Sequence, residues 1–465
     1  MDIKGFLNKV CQEIKYEPAR KGISEELELH IQDIKENHMN NGIQEIEAEE
    51  KAVSQMGVPE EIGKKLNKIH RPKLDWKLLI LILILMGFGL LVSILREPLM
   101  NDSYIESTVF YMLIGIGLSI GVYFCDYKKM KKYSNLIYLV ASIIMILPIL
   151  GFNCMINGLY YIRIFNITIF PPTVALPLYL IAFIGYLVDY NKENVIKLTI
   201  LNKKISINKD LVKIALLSII SLILMINVPS IANAGVLGVA YLVIITAKIM
   251  QDKNNRLKRI ALLYGIIVIL LILFIGVISI ESPYRFERII TSFNPESDPQ
   301  GSGYIGMLQK EILENAKIIG EADTDIISSG EHIINLESNY TFIYLLGKTG
   351  ILTAGILASI IVLTSIKLIF NAKNIKENYG KFLIIGLSTL YILQSFVTVL
   401  MNLNMAIQTN INLPFVTYGG VYFIVNILTI AIILSIYRRK DINEFDNDDS
   451  KKRKIEIFKI EKIKN

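Results

Sequence analysis

A short stretch of the chain, INLESNYTFIYLLGKTG (334–350), carries residues that could do acid–base chemistry. Glu337 supplies a carboxylate just before the sequence turns apolar at Tyr340, and Asn339 supplies a carboxamide between them. A carboxylate at such a polar-to-apolar boundary can act as a general base, whereas an amide cannot near neutral pH. Glu337 is therefore the one candidate acid of the stretch.

Positive charges accompany this stretch. Arg285 and Arg288 precede it in the same polar loop, Lys310 and Lys317 follow them, and Lys348 lies within the apolar part. Cations at headgroup level suit phosphate or pyrophosphate, which Arg binds through two parallel hydrogen bonds and Lys as a point charge. Snorkelling to lipid headgroups would account for the loop cations equally simply. For Lys348 both a polar cavity and snorkelling stay open.

Other chemistries lose support. The chain has no P-loop, no HExxH, no Ser-His-Asp set and no intramembrane carboxylate cluster, which argues against an ATPase, a metalloprotease and a carboxylate-driven proton pump. The three cysteines, Cys11, Cys125 and Cys154, are scattered and predict neither a disulfide framework nor a thiolate metal site. The net charge of +7 does not predict nucleic-acid binding, because the positive residues flank apolar segments.

The elements that must position these residues are those of a membrane protein. Of the residues 52% are hydrophobic and the mean hydropathy is +0.47, while charge is concentrated in residues 1–75 and 438–465. The opening MDIKGFLNKV does not predict a secretory signal peptide. Most apolar segments approach the roughly 20 residues that span a bilayer. Ten are predicted: 76–95, 107–125, 134–151, 170–188, 211–227, 232–249, 259–280, 340–370, 382–404 and 415–437.

Lys and Arg set the predicted orientation. They are dense in alternate loops and in both flanks, which the positive-inside rule assigns to the cytoplasm. Both termini are then cytoplasmic, and the large loop 281–338 is external. Within that loop the apolar period predicts a helix over 304–320 that lies along the outer membrane surface. The fourth segment contains three prolines and is predicted to be kinked, and Pro229 makes a tight hairpin between segments five and six.

Residues 1–72 predict a small helical domain with an acid-rich surface. Ser24 is a candidate N-cap for a helix with Leu27, Ile31 and Ile34 on one face. The next helix should stop at Gly57, and the last should begin near Pro59. Residues 441–465 form a charged tail. The predicted fold class is all-α: a ten-helix membrane domain over 76–440, preceded by this soluble helical domain.

Several motifs within residues 76–440 resemble the SEDS family (FtsW, RodA, SpoVE). The loop carries RFERIITSFNPESDPQGSGY, and LPFVTYGG leads into the tenth helix. DYKKMKKYSNLIY before the third helix, NGLYYIRIFNITIFPP before the fourth and the Pro229 hairpin match further family features in the same order. The N-terminal part is similar to a small helical prefix domain found before some Firmicute membrane proteins. The tenth-helix motif contributes Pro414, Tyr418, Gly419 and Gly420.

The resemblance implies peptidoglycan glycosyltransfer in division, cell shape or sporulation: polymerisation of lipid II outside the cytoplasmic membrane, with a class B penicillin-binding protein as partner. It implies no cofactor and leaves room for a divalent cation at the departing pyrophosphate. The family's catalytic Asp position falls on Asn339, or on Thr341 if the alignment shifts, and neither residue is a carboxylate. Residues near the family's basic and polar loop positions are Arg285, Arg288, Gln309 and Lys310.

Other family positions also differ. The PSE-like motif is PPT here, the acid of the hairpin turn is Ser230, and YGGS becomes YGGV with Val421. Either Glu337 substitutes as the base, or the protein does not polymerise. Three functions stay open at this point: a lipid II glycosyltransferase, a catalytically altered scaffold or regulator of peptidoglycan synthesis, and a transporter of a lipid-linked precursor.

Overall fold

The computed structural model describes residues 1–70, 72–100, 104–156, 159–164, 167–191, 194–200, 203–251, 256–265, 283–328, 339–417 and 420–440. The chain divides into two compact units. One comprises Met1–Leu74 with the residues that follow Ile436, and the other is Asp75–Ile436.

The smaller unit contains four helices, because four amphipathic stretches are separated by residues that stop a helix. Gly57 has a φ of +92° and ends the third helix, and Pro59 begins the fourth, both as predicted. Ile31 is fully buried, with Leu27 and Ile34 packed against the same core. The prediction for Ser24 is wrong, because it lies inside a helix that begins seven residues earlier. The helices are α1 (Ile3–Glu13), α2 (Glu17–Asn40), α3 (Glu45–Met56) and α4 (Pro59–His70).

The larger unit is built from apolar helices of membrane-spanning length, so the predicted all-α membrane class is confirmed. Among the residues that the structure describes, eight helices are long and apolar enough to cross a bilayer. Ser134–Ile149 is apolar but shorter, and of the predicted segment 259–280 the structure describes only residues up to 265. These helices are α5 (Trp76–Met100), α6 (Tyr104–Phe124), α8 (Ser134–Ile149), α9 (Pro171–Val188), α10 (Lys209–Asn227), α11 (Ile231–Gln251), α12 (256–265), α17 (Ile351–Lys373), α18 (Asn378–Asn402) and α19 (Gly420–Arg438).

Shorter elements lie between the spans. α7 (Lys128–Lys132) precedes α8, and α13 to α16 lie in and after the large loop. Two antiparallel sheets were not predicted: β1–β2–β3 before α9 and the hairpin β4–β5 before α10. In KLTILNKKISIN apolar and polar residues alternate, and this alternation was the available sequence signal for that hairpin. The remaining elements are α13 (Pro283–Phe293), α14 (Tyr304–Glu314), α15 (Asp325–Ser328), α16 (Thr341–Thr349), β1 (Cys154–Ile156), β2 (Leu159–Ile164), β3 (Ile167–Ile169), β4 (Val195–Ile200) and β5 (Lys203–Asn208).

Among the described spans, three helices are the most buried. In α9 67% of the most apolar window is buried and in α18 and α19 56% each, against 11% in α6 and 17% in α10. α9 begins with Pro171 and Pro172 in its first turn, where proline is tolerated, and its helix continues through Pro177. Small residues allow close approach along α18, where a Cβ at Gly386 would lie 2.9 Å from Leu180 of α9. Pro229 occupies the link between α10 and α11, as predicted.

The predicted single helix over 340–370 is instead two helices that meet at Gly350. Gly350 has a φ of +95°, and a Cβ there would lie 2.7 Å from the Ile318 carbonyl oxygen. The loop segment 317–322 passes this break. Its backbone bonds to both helices, for example Ala322 N to Gly347 O at 2.7 Å and Ile351 N to Lys317 O at 2.9 Å. Glycine is needed here because backbone approaches backbone.

Gly350→Ala should therefore loosen the loop segment 317–322. A side chain at this φ costs about 1–3 kcal/mol, or roughly a 5- to 150-fold gain in local opening. Hydrogen exchange of residues 317–322 in the purified full chain measures that opening. Gly355→Ala is the matched control, because no atom lies within 4 Å of its added Cβ and the residue is helical. Equal exchange in the two variants would contradict this account of the break.

Candidate functional site

The large loop folds onto one end of the larger unit, here called the loop face: α13, α14, the start of α16 and residues 403–417. A tight turn joins α13 to α14. The Asp298 carboxylate accepts hydrogen bonds from Ser302 N at 2.6 Å and Ser302 Oγ at 3.1 Å. A Cβ at Gly303 would lie 2.2 Å from the Pro295 carbonyl oxygen, so only glycine fits this turn.

The helix predicted over 304–320 is shorter than expected. It ends at Glu314, and Ile319 is 71% exposed rather than on the apolar face. Leu308 and Ile312 are buried and pack with α16 and α15. The apolar face of α14 therefore packs against protein side chains. The helix ends early because the residues after it turn away to form the loop segment 317–322.

Gln309 links three parts of the loop face. Its side chain is fully buried and its Nε2 donates to the Met401 carbonyl at 3.3 Å, near the end of α18. Its Oε1 accepts from Gln408 Nε2 at 2.8 Å. Gln408 N in turn donates to Ser292 Oγ of α13 at 3.0 Å. Gln309, which the sequence singled out, is therefore central to how the loop is placed.

Asn339 lies at the same face, directly before α16. Its Nδ2 donates to the Thr409 carbonyl at 3.4 Å, and its own carbonyl accepts from Asn402 Nδ2 at 2.9 Å. Asn402 also accepts from Ile343 N at 2.9 Å, which satisfies a free donor in the first turn of α16. We call Gln309, Asn339, Asn402, Asn404 and Gln408 the amide cluster. Asn404 belongs to it through Gln408 Nε2, which lies 3.3 Å from Asn404 Oδ1.

Arg288 lies on α13 one turn before Ser292, whose Oγ accepts a hydrogen bond from Gln408 N of the amide cluster at 3.0 Å. Tyr340 follows Asn339 and is largely enclosed; burial raises the pKa of its hydroxyl to about 12, and the nearby charge of Arg288 opposes that rise. Arg288 lies on the exposed side of α13. The structure thus gathers three predicted site residues, Arg288, Gln309 and Asn339, at one place on the loop face.

Two other predicted cations are held elsewhere by carboxylates. Lys310 pairs with Glu296 and lies 3.9 Å from Glu314, and the hydrogen bond that Lys310 donates to Glu296 raises the pKa of Lys310. Lys348 Nζ lies 2.8 Å from Glu321 Oε1, with 16% of the lysine side chain exposed. Nine residues of helix separate it from Asn339, about 14 Å along the axis. Neither snorkelling nor a substrate is needed to account for Lys348.

Several predicted positions lie outside the described residues: Glu337, Tyr418, Gly419 and the side chain of Arg285. Of the tenth-helix motif, Pro414 is described and buried. Gly420 begins α19, and a Cβ there would meet the Tyr111 ring at 2.3 Å. Gly420 therefore allows close helix packing.

Some residues of the loop face were not singled out from the sequence. Asn402, Gln408 and Thr409 come from LNMAIQTNIN, where the density of amides was the available signal. Arg96, near the end of α5, is 1% exposed, and its guanidinium lies 4.8 Å from the centre of the Tyr344 ring in α16. A cation placed over an aromatic ring is stabilised by the ring's electrons. The available signal for Arg96 in the sequence was an arginine directly after the first apolar segment.

The described residues contain no group of three or more His, Cys, Asp or Glu side chains that could hold a metal ion. Chemically, the loop face offers carboxamides, which donate and accept hydrogen bonds, and the guanidinium of Arg288. Such groups suit hydroxyls, acetamido groups and phosphates. The divalent cation therefore stays a prediction.

Comparison with known proteins gives a consistent result over this unit. A family model described as cell cycle protein, FTSW_RODA_SPOVE, matches residues 75–442. The chain is 25% identical to the probable peptidoglycan glycosyltransferase FtsW of Nitrosomonas europaea over 399 residues, covering 80% of this chain and 94% of that protein. It is 22% identical to stage V sporulation protein E of Bacillus subtilis over 384 residues, covering 78% and 97%.

Solved structures share the fold. A chain of a peptidoglycan synthase complex, described as coordinating polymerization and crosslinking, matches with a TM-score of 0.61 and 18% identity over 79% of this chain and 98% of that one. The rod shape determining protein RodA of Thermus thermophilus matches with a TM-score of 0.53 and 15% identity, over 79% and 97%. Residues 1–74 precede the region that the family model matches.

Proposed function

Since the chain belongs to the FtsW/RodA/SpoVE family of cell cycle proteins, we propose that it builds bacterial cell wall as a glycosyltransferase that polymerises lipid II. The chain is a multi-pass membrane protein. Relatives that cover most of its length are named as probable peptidoglycan glycosyltransferases. The observation that carries the proposal is the gathering of Arg288 and the amide cluster on the loop face, because the resemblance assigns one member of that cluster, Asn339, to the family's catalytic position.

The loop face is the external one in this proposal. Basic loops such as DYKKMKKY and NAKNIKENYGK lie at the ends of helices away from it, and the positive-inside rule assigns those ends to the cytoplasm. Both termini then lie in the cytoplasm. A lipid-linked substrate would keep its lipid in the bilayer and present pyrophosphate and sugars at headgroup level, where Arg288 and the amide cluster lie.

The reaction needs two kinds of group. The acceptor sugar hydroxyl must lose a proton as it attacks the anomeric carbon, and the departing pyrophosphate gains negative charge. Glu337 is our proposed base, since it lies two residues before Asn339, roughly 7 Å of extended chain. Arg288 is proposed to stabilise the pyrophosphate, either alone or with a divalent cation. The carboxamides are proposed to bind the sugars.

A second candidate function rests on one contact. Asn339 Nδ2 faces the Thr409 carbonyl oxygen at 3.4 Å, a partner for a donor and not for a carboxylate. The surroundings of position 339 thus suit an amide. This supports a catalytically altered family member that binds the precursor, or a cell-wall enzyme, without polymerising. In either function we propose a class B penicillin-binding protein as partner, since one structural neighbour is part of a synthase complex that polymerises and crosslinks.

Polymerisation of lipid II by the purified full chain tests the proposal, with and without its partner synthase. Glycan product is expected from the wild type. Arg288→Ala should slow its formation by about 10²-fold, because a charge that stabilises the leaving pyrophosphate is lost. Lys310→Ala is the matched control, since its charge is already paired with Glu296, and should change the rate far less.

Two results would count against the first candidate. No product from the wild type in the presence of partner would leave the catalytically altered function. An equal loss in Lys310→Ala and Arg288→Ala would show that pyrophosphate binding is not centred on the amide cluster.

A further inference from the structure

A polar cavity lies at the other end of the larger unit. Its volume is about 190 Å³, and it lies where α7 and α8 meet the end of α9 and the start of α10. α7 is tied to the first turn of α18, since Tyr127 OH donates to Glu377 at 3.2 Å. The amide cluster is at the last turn of the same helix, 25 residues long and about 37 Å in length. The cavity is therefore separate from the loop face.

The cavity has an excess of positive charge. Three lysines and two aspartates line it. Lys131 is neutralised by Asp189, with Nζ and Oδ1 2.7 Å apart. The Asp210 carboxylate is held by Asn191 N at 3.1 Å and by Asn194 Nδ2 at 2.9 Å.

The other two lysines pair with no carboxylate among the described residues. Lys213 Nζ lies 3.3 Å from Asn135 Oδ1 and 4.6 Å from the centre of the Tyr186 ring. Lys132 is exposed at the rim. Counting Asp210 against the lysines, the site carries about one unit of positive charge. That charge complements a single phosphodiester.

An apolar surface continues from the cavity. Asn135 is followed on α8 by exposed apolar residues one turn apart, and Lys213 is followed in the same way on α10. The two helices are in contact, because Tyr138 OH donates to the Leu217 carbonyl at 2.9 Å. Surfaces of this kind on membrane helices meet acyl chains. The exposed residues are Leu136 (57%), Leu139 (53%) and Ile143 (48%) on α8, and Leu216 (54%), Ile220 (44%) and Ile223 (51%) on α10.

We propose that this cavity binds the headgroup of an anionic glycerophospholipid of the inner leaflet. The phosphodiester would contact Lys213 and Lys132, and the acyl chains would lie along α8 and α10. Basic pockets between membrane helices on the cytoplasmic side recognise such headgroups. A free phosphate ion shares the headgroup's charge but has no use for the apolar surface, and on that ground a lipid is the proposed occupant. The leaflet assignment rests on the orientation proposed above.

Native mass spectrometry of the full chain, released from detergent after mixing with defined lipids, tests this inference. Phosphatidylglycerol should stay bound in preference to phosphatidylcholine of the same chain length. Lys132→Gln/Lys213→Gln should lower phosphatidylglycerol occupancy by roughly tenfold or more. Lys129→Gln is the matched control, because Lys129 is an exposed lysine of the same helix α7 and does not line the cavity. It should keep wild-type occupancy.

Three outcomes would overturn the inference. They are equal retention of the two lipids, an equal loss in the Lys129→Gln control, and displacement of phosphatidylglycerol by millimolar inorganic phosphate, which would make the site one for free phosphate.

A second measurement keeps the inference testable if the double variant does not fold. Trp76 is the chain's single tryptophan, so Trp76→Phe/Leu216→Trp carries one reporter on α10. Brominated phosphatidylglycerol should quench it more strongly than brominated phosphatidylcholine, and equal quenching would again overturn the site.

Discussion

A Glu337→Gln variant is expected to polymerise lipid II about 10² to 10⁴ times more slowly than the wild type, as follows from removing a general base. Glutamine keeps the size of the side chain but cannot accept the proton of the attacking hydroxyl. The described residues that surround Asn339 offer carboxamides and backbone carbonyls, and none of these can take over the role near neutral pH. Glu287→Gln is the matched control, because Glu287 is an exposed carboxylate next to Arg288.

Asn339→Asp separates the two candidate functions. In the proposed enzyme it should not raise the rate, because the new carboxylate would face the Thr409 carbonyl oxygen at about the present 3.4 Å. Two acceptors with no proton between them repel, which raises the pKa of the introduced carboxyl. Rates of the single variants and of Glu337→Gln/Asn339→Asp in one lipid II assay measure both effects. An inert wild type that Asn339→Asp activates would identify a silenced polymerase. Full activity in Glu337→Gln would rule out Glu337 as the base.

The sequence predicted the membrane helices well because their signal is local. A run of about 20 apolar residues has few folded alternatives in a bilayer, so α5, α9, α11 and α18 lie close to their predicted bounds. The break at Gly350 could not be predicted in this way. Hydropathy is continuous across it. The helix stops there because the loop segment 317–322 forms backbone hydrogen bonds at the break, and that segment is brought to the helix only by folding.

The sequence likewise predicted some residues of the candidate site and missed others. The sequence singled out Arg288, Gln309 and Asn339, and the structure brings all three to the loop face. The sequence could not show that Lys310 and Lys348 would be paired with Glu296 and Glu321, because those pairs depend on how the loop folds. For the missed Asn402 the reason is distance along the chain. It lies 63 residues from Asn339, and a polar residue at the end of an apolar helix is by itself most simply a solvated one.

A separate network at the start of α5 predicts the largest effect on stability. Asp75 is buried, with 2% of its side chain exposed, and performs three tasks. Its carboxylate accepts from Leu78 N at 3.3 Å, which caps α5. It also accepts from Asn371 Nδ2 at 2.7 Å and lies 3.0 Å from Lys367 Nζ, both on α17. One side chain therefore joins the first and eighth predicted spans.

Asp75→Ala is expected to lower the free energy of unfolding by about 3–5 kcal/mol, as breaking a buried ion pair from one side does. The loss exceeds that of a cap alone, because Lys367 keeps its charge at the apolar boundary without the carboxylate beside it. Glu377→Ala is the matched control. Glu377 caps α18 through Tyr379 N and Gly380 N and accepts from Tyr127 OH, but it makes no ion pair among the described residues. Its loss should therefore cost about 1–2 kcal/mol.

Thermal unfolding of the purified full chain in detergent, followed by helical circular dichroism, compares these variants. Asp75→Ala/Lys367→Met should recover part of the loss, because the lysine charge left by the single change is then gone. Recovery would show that the uncompensated charge, and not the lost cap, is the larger cost. If Asp75→Ala unfolds at the same temperature as Glu377→Ala, and Asp75→Ala/Lys367→Met at no higher temperature than Asp75→Ala, the Asp75 carboxylate acts only as a cap. The two spans would then be held together by apolar packing alone.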